Sequence, residues 1–251
     1  MPVLENMGQK IIFLDTVGST NDYIKQNREK LQSGTVVSAE FQTRGRGRGN
    51  KEWVAPKSGS LLFSMYLQPE FPAKYTNFFL YLPAVILARV LREKCEIKAG
   101  IKWPNDIFID GKKLAGILVE CRSGGKKLSQ VIMGMGVNIY PDQSGSESNN
   151  IAYLSDFTEE KVDKLCFLFS FIHEFNSFIN QSNSVHSLLS RVIREWNLHC
   201  IHVDKVIEIT LRDGKYRYIF KGLDDSGQPL VETPDGVKVL QQYEDVTCFW
   251  Q

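Results

Sequence analysis

Hydrophobic residues along this chain change their repeat several times, and each change marks a predicted element. Lys10 to Leu14 is a short β-branched and apolar run that reads as a strand, closed by a turn at Asp15-Thr16-Val17-Gly18. Ser19, Thr20 and Asn21 each suit a helix N-terminus, and a helix is predicted to about Leu31 with Tyr23, Ile24 and Leu31 as its apolar positions. Thr35 to Phe41 is a second strand, and Ser60 to Gln68, which alternates imperfectly, is a third and mostly buried one. Between them lies a long polar and glycine-rich loop, a length that in a compact domain marks a lid or binding loop. From Asn77 to Lys94 the positions Leu80, Ala84, Leu87, Ala88 and Leu91 recur at helical spacing and predict a core helix, with Pro83 best tolerated near its first turn.

The second half continues in the same way. Asp110-Gly111 between apolar runs predicts a hairpin that brings Lys113 back towards Pro104-Asn105-Asp106. After the turn at Ser123–Lys126, the strand from Ser129 runs on through Gly134, Gly136 and Asn138; two glycines there predict a bulge or a close approach by a ligand or another backbone. Pro141 to Asn150 is a surface loop. Two amphipathic helices follow, Thr158 to about Asn180, capped by Thr158, and Val185 to His199. Phe167, Phe171, Phe175 and Phe178 share the core face of the first. Beyond Val203 the repeat shortens to alternating strands, Val206–Leu211, Tyr216–Leu223, Pro229–Glu232 and Val237–Leu240, with turn signals between them that predict a small antiparallel barrel. A boundary near His202 divides the chain into residues 1–202 and 203–251.

Composition narrows the function classes. The 251 residues are 43% hydrophobic, enough for a sizeable core, and 30 Lys+Arg against 29 Asp+Glu give a net charge of +1, so no global basic field exists to hold a nucleic-acid duplex. Five widely spaced cysteines, Cys95, Cys121, Cys166, Cys200 and Cys248, show no paired short spacing for zinc or redox chemistry and fit a reduced cytoplasmic interior. His199, Cys200 and His202 match no established metal spacing. The first residues lack the pattern of a secretory signal, and no uncharged apolar stretch reaches the ~20 residues that cross a bilayer. An exposed sheet edge leaves monomer and homodimer open.

Chemistry gathers at four polar or glycine-rich clusters at strand ends. Arg44-Gly45-Arg46-Gly47-Arg48 alternates arginine with glycine, which disfavours helix and strand; bare backbone N–H groups and bidentate guanidinium groups then suit phosphate or carboxylate oxygens. Such segments also occur in disordered RNA binders. The others are Ser19-Thr20-Asn21, the Asn105-Asp106/Lys113 hairpin, and Gly134 to Asn138. Together they offer cations for anions, Trp53 as an aromatic face, amides for a heterocycle, and a carboxylate for Mg²⁺. Neither the Walker phosphate loop nor the dinucleotide glycine pattern is present. With histidines confined to the C-terminal third, no Ser-His or Cys-His nucleophile is apparent; electrostatic catalysis of group transfer, such as carboxylate activation by ATP, fits better.

The combination of Ser19-Thr20-Asn21, Gln42 with Gly45-Arg46-Gly47-Arg48 and Trp53, Lys102-Trp103-Pro104-Asn105-Asp106, Lys113-Leu114-Ala115-Gly116-Ile117-Leu118-Val119-Glu120, and Gly134 to Asn138 resembles the biotin–protein ligases (biotin–[acetyl-CoA-carboxylase] ligases). The resemblance implies an α+β fold: a mixed β-sheet with flanking helices, like the catalytic domains of class II aminoacyl-tRNA synthetases and biotin ligases, followed by a small SH3-like antiparallel β-barrel. It implies that biotin and ATP give biotinyl-5′-AMP and pyrophosphate, and that the acyl group passes to a lysine of a biotin carboxyl carrier domain. Ser19, Thr20 and Gln42 would bind the ureido ring, with Gly45 and Arg46 completing that pocket and Gly116 leaving room for biotin. Lys113 would bridge the biotin carboxylate and the α-phosphate, and Arg48 would face both. Trp53, Asn105, Asn138 and Lys51 would serve the nucleotide. Asp106 would hold Mg²⁺ or orient the acceptor lysine. Lys102 would be structural or touch phosphate, and Trp103 and Pro104 would pack.

Two departures matter. Asn50-Lys51 stands where the family often has a further Gly-Arg, so the outer phosphate contact passes to a lysine without bidentate geometry. The strand at Ile11 begins close to the first residue and predicts a ligase without the winged helix-turn-helix of repressor members, hence no DNA partner. The nearest rival is a lipoate–protein ligase or octanoyltransferase of related fold, against which the Gly-Arg loop and the Lys102–Asp106 run argue. A non-catalytic nucleic-acid binder is the rival from another class. For a ligase, Gly45 to Lys51 is expected to be mobile without ligand and to close over biotin and the adenylate.

Overall fold

A computed structural model describes residues 4–49, 51–142, 150–211, 214–240 and 245–248. Asn50, Asp213 and most of the Pro141–Asn150 loop therefore lie outside the described residues. In chain order the elements are β1 (Lys10–Val17), α1 (Thr20–Asn27), β2 (Thr35–Gln42), β3 (Ser60–Leu67), β4 (Phe71–Pro72), α2 (Phe78–Cys95), β5 (Gly100–Lys102), β6 (Asp106–Ile109), β7 (Lys112–Gly124), β8 (Lys127–Asn138), α3 (Lys164–Asn180), α4 (Val185–His199), β9 (Val206–Leu211), β10 (Gly214–Leu223), β11 (Pro229–Thr233), β12 (Gly236–Val239) and β13 (Asp245–Cys248). The first eight strands form one mixed sheet in the order β1-β2-β3-β8-β7-β6-β5, with β4 added beside β8. Only β1 and β2 run parallel.

The imperfect alternation of β3 has a structural cause, since this strand is buried along its whole length between β2 and β8. Its odd positions Leu61, Phe63, Met65 and Leu67 enter the main core under α2, α3 and α4, while Tyr66 joins Ile24, Leu31, Val37 and Ile132 in a smaller core beneath α1. The same period places Ala115 and Ile117 of β7, and Val131, Met133, Met135 and Val137 of β8, in the main core. Gly116, Leu118 and Glu120, with Gly134 and Gly136, consequently occupy the opposite face, where α1 lies. Across that face the register aligns Leu62, Gly136, Gly116, Asp106 and Lys102 in one row.

Several boundaries differ from the sequence expectations. The Asp15–Gly18 turn is instead the end of β1, whose pairing with β2 continues to Val17 against Gln42. Helix α1 stops at Asn27, short of Leu31. Pro83 sits inside α2 beyond the first turn. Helix α3 begins at Lys164, not Thr158, because the Asp163 carboxylate accepts from the N–H groups of Leu165 and Cys166 and caps the helix immediately before its apolar run. The glycines of β8 make no bulge, as the ladders to β3 and β7 run through Gly134 and Gly136 without a shift. The hairpin at Asp110-Gly111 is present, both residues having positive φ as its turn requires.

The C-terminal strands form a separate antiparallel sheet, β12-β11-β10-β9-β13, as expected of a small SH3-like unit; β13 was not anticipated. It packs on the first sheet through Phe220, whose ring stacks on Trp103 at 5.1 Å and meets Trp196 edge-on at 6.2 Å. Trp103 thus has the packing role expected of it. Replacing Phe220, which is fully buried, by alanine should cost about 3–5 kcal/mol, read as a lower urea midpoint with an unchanged slope. A loss below 1 kcal/mol would show that the two sheets are not coupled through this ring.

Candidate active site

The row of glycines on the open face of the main sheet is the floor of a cavity of about 590 Å³. Ser19, Thr20, Gln42, Arg46, Arg48, Lys51, Trp53, Asn105, Asp106, Lys113 and Gly116 all line it, although they come from β1–α1, the Gly/Arg loop and the β5–β7 region. Gly45 and Asn138 stand back from its wall. Gly45 pairs with Trp53, its carbonyl accepting from the Trp53 N–H at 3.0 Å. The buried Asn138 side chain accepts from Ser60 Oγ and donates to the carbonyl of Lys113, supporting the lysine from beneath.

At one end the cavity is built for a neutral polar ligand. Ser19 occupies the N-cap position of α1, but its hydroxyl makes no capping hydrogen bond, so capping does not account for it. Gln42 Oε1 accepts from the Thr20 N–H at 2.7 Å and lies 3.1 Å from Thr20 Oγ1. Ser64, on the α1 side of β3 and completely buried, lies 2.6 Å from both Thr20 Oγ1 and Asn21 Oδ1. The other end is charged. Lys113 Nζ is 2.8 Å from Asp106 Oδ2, while Asp106 Oδ1 is buried with no hydrogen-bond partner. Asn105, anchored by donating to the Ile117 carbonyl at 2.6 Å, accepts from Arg48 Nη1 at 3.3 Å.

The described residues of the Gly/Arg loop form the third wall. Arg46 and Glu52 form a bridge, with the Gly47 N–H donating to the Lys51 carbonyl at 2.7 Å. Arg46 Nη2 reaches Glu120 Oε2 at 2.7 Å and Asp22 Oδ1 at 2.9 Å. Trp53 lies flat on the glycine floor: a Cβ at Gly136 would overlap its indole, and one at Gly116 would come within 2.9 Å of Cζ3. Lys113 Nζ stands 5.4 Å from the indole centroid. These glycines are the places where a side chain would close the site.

Glu120 was not singled out among the candidate residues, nor were Ser64, Asp22 and Lys25. Glu120 accepts from Asn21 Nδ2 at 2.9 Å, Lys25 Nζ at 2.6 Å and Arg46. Burial opposes its charge, yet the hydrogen bonds from Lys25, Arg46 and Asn21 outweigh that penalty and hold its pKa below the usual carboxylate value. Its neighbour Cys121 is pushed up to about 11 by burial and by the Glu120 charge, so no thiolate is available there at neutral pH. The sequence signal for Glu120 was its place two and four residues after Leu118 and Gly116 on one strand face; the signal for Ser64 was a hydroxyl set between apolar residues of a strand.

Comparison with known proteins agrees with this geometry. The biotin/lipoate A/B protein ligase family matches residues 13–138, which contain every lining residue. The chain belongs to that family. The bifunctional ligase/repressor BirA of Bacillus subtilis is 30% identical over 244 residues, covering 94% of this chain and 73% of the relative. The biotin–[acetyl-CoA-carboxylase] ligase of Paracoccus denitrificans is 28% identical over 232 residues, covering 90% and 95%. The biotin protein ligase of Aquifex aeolicus, solved in complex with biotin and ATP, is 26% identical and superposes with a TM-score of 0.79 over 96% of this chain and 100% of that one. Among the described residues, no helix is long and apolar enough to cross a membrane.

For this ligase-family site, Gly136→Ala should expel Trp53 from its seat. Tryptophan emission should shift to the red and acrylamide quenching should rise, with the melting temperature changed by only a few degrees; unchanged fluorescence would mean that Trp53 does not rest on the glycine floor.

Proposed function

We infer that this chain is a biotin–protein ligase, using ATP to activate biotin as biotinyl-5′-AMP and then biotinylating a lysine of a biotin carboxyl carrier domain. The observation that carries this reading is the bipolar cavity: buried Ser19 and Thr20 with half-buried Gln42 at one end suit a ureido ring, and Lys113, Arg48 and Asp106 at the other suit a carboxylate meeting a phosphate. The dithiolane of lipoate would leave the buried polar groups without partners, which selects against the lipoate alternative.

Biotin, with its ring at the Thr20–Gln42 end, extends its carboxylate towards Lys113. The carboxylate oxygen attacks the α-phosphorus of ATP, the bond to the bridging oxygen breaks, and pyrophosphate leaves. Two anions must meet in this step. Lys113, oriented by Asp106, and Arg48, steadied by Asn105, offset their repulsion and stabilise charge on the phosphoryl oxygens. In the second step the acceptor amine attacks the acyl carbon, the bond to the phosphate oxygen breaks, and AMP leaves. Trp53 and Lys51 serve the nucleotide in this reading, and Gly45 and Asn138 act through the backbone of Trp53 and Lys113.

Asp106 Oδ1 fits either task proposed for it. It can accept from the incoming lysine, and, although the described residues contain no cluster of three metal-ligating side chains, Mg²⁺ takes one carboxylate alongside phosphate oxygens. Mg²⁺ there would neutralise triphosphate charge. Residues 1–202 are proposed to carry the reaction, with 203–251 buttressing the Lys102–Asp106 segment.

Purified protein should catalyse biotin-dependent ATP–pyrophosphate exchange, and Lys113→Ala should lose adenylate formation by at least a hundredfold while keeping its circular dichroism and melting temperature. Exchange supported by lipoate instead of biotin, or a near-normal rate in the variant, would overturn the assignment. Trypsin should cut at Arg46 and Arg48 more slowly once biotin and ATP are bound, as for a lid that closes; cleavage indifferent to both ligands would refute the lid.

A further inference from the structure

Resting on the ligase reading, we propose that Glu120 and Ser64 are positioning residues that set the hydrogen-bond polarity of the ureido-binding end through a one-way chain, Thr20 to Ser64 to Asn21 to Glu120. Neither needs to touch the ligand. Their effect follows from counting protons.

Glu120 lies against Lys25 and Arg46 and is a carboxylate that only accepts. The Asn21 amide must therefore turn its NH₂ to Glu120, 2.9 Å away, and its Oδ1 towards Ser64. An amide oxygen cannot donate, so the 2.6 Å contact between Asn21 Oδ1 and Ser64 Oγ takes the single Ser64 proton. The equally short contact between Ser64 Oγ and Thr20 Oγ1 then needs the Thr20 proton. The longer approach of Thr20 Oγ1 to Gln42 Oε1, 3.1 Å, gives that proton up, and Gln42 Oε1 keeps the Thr20 N–H at 2.7 Å.

What remains for the ligand is fixed. Thr20 Oγ1 presents lone pairs and no proton, and Gln42, its oxygen turned to the Thr20 N–H, directs its Nε2–H donors away from it. A cyclic urea needs that pairing: acceptors for its N–H groups and donors for its carbonyl. The chain is also tight, for a Cβ at Gly134 would collide with Asn21, so the amide has no room to swing away. The same Glu120 carboxylate holds Arg46, which couples ring recognition to the base of the lid.

The test compares wild type, Ser64→Ala and Glu120→Gln by calorimetry and by exchange kinetics, using biotin and cyclic carbamate analogues in which a ring oxygen replaces one N–H. In Ser64→Ala the Thr20 hydroxyl is freed to donate, so biotin affinity should fall about tenfold. The preference for biotin over at least one carbamate should shrink by a similar factor. KM for ATP should stay within twofold and kcat at saturating biotin within threefold. A purely structural loss would weaken biotin and the carbamates alike, leaving the ratio unchanged, and would overturn the inference. Glu120→Gln should move the ratio in the same direction and decides the matter if Ser64→Ala does not fold. Absence of biotin binding in the wild type would overturn the ligase reading and this inference with it; normal wild-type binding with an unchanged ratio in both variants overturns the inference alone.

Discussion

The site depends on one half-buried carboxylate. Glu120 joins α1, through Asn21 near its start and Lys25 in its last turn, to the Gly/Arg loop, through Arg46, from within β7, whose preceding residues on the same face form the cavity floor. A charge in that position is tolerated because cationic and amide donors surround it, and removing one partner would leave the remainder desolvated without compensation. The start of α1 and the Gly/Arg loop are thus held by the same carboxylate.

Bare backbone is the complementary device. In register, Gly116 faces Gly136 and Leu118 faces Gly134, so neighbouring strands expose main chain over a patch on the α1 side. Into this gap descend Asn21 and the Trp53 indole. Small residues here create depth in a sheet that would otherwise present a level surface, and the ordinary period of β-strands still drives the alternate residues into the core. One pair of strands therefore serves both packing and recognition, with the two tasks on opposite faces.

Beyond the sheet, Phe220 presses on Trp103, and the segment from Lys102 to Asp106 is clamped between that contact and the ladder to β7. Asp106 is thereby presented to Lys113 from a rigid base. Electrostatic catalysis needs such preorganisation, because dipoles and charges already in place incur no reorganisation cost when the transition state forms.

Some of this was legible in the residues alone. Apolar runs, helical spacing and turn signals identified β2, β3, α2, α4 and the Asp110-Gly111 hairpin, since hydrophobic patterning and turn stereochemistry are local properties. The short motifs around Ser19, Gly45, Asp106, Lys113 and Gly134 specified the chemical groups of a site, and all but Gly45 and Asn138 among the named candidates line the cavity. The start of α3 was misplaced because Thr158 and Asp163 are both competent caps, and the choice between them rests on where the apolar run docks. Glu120 and Ser64 were harder to read for a related reason: one glutamate within a strand and one serine among apolar strand residues carry little pattern of their own. Their meaning lies in partners, Asn21 and Arg46 for one and Thr20 and Asn21 for the other, that are distant along the chain and adjacent only across the sheet. Sequence by itself determined which elements form and which chemical groups are available. Tertiary structure decided which of those groups meet, because direction and proton order in a hydrogen-bond network are properties of the assembled neighbours and of no single residue.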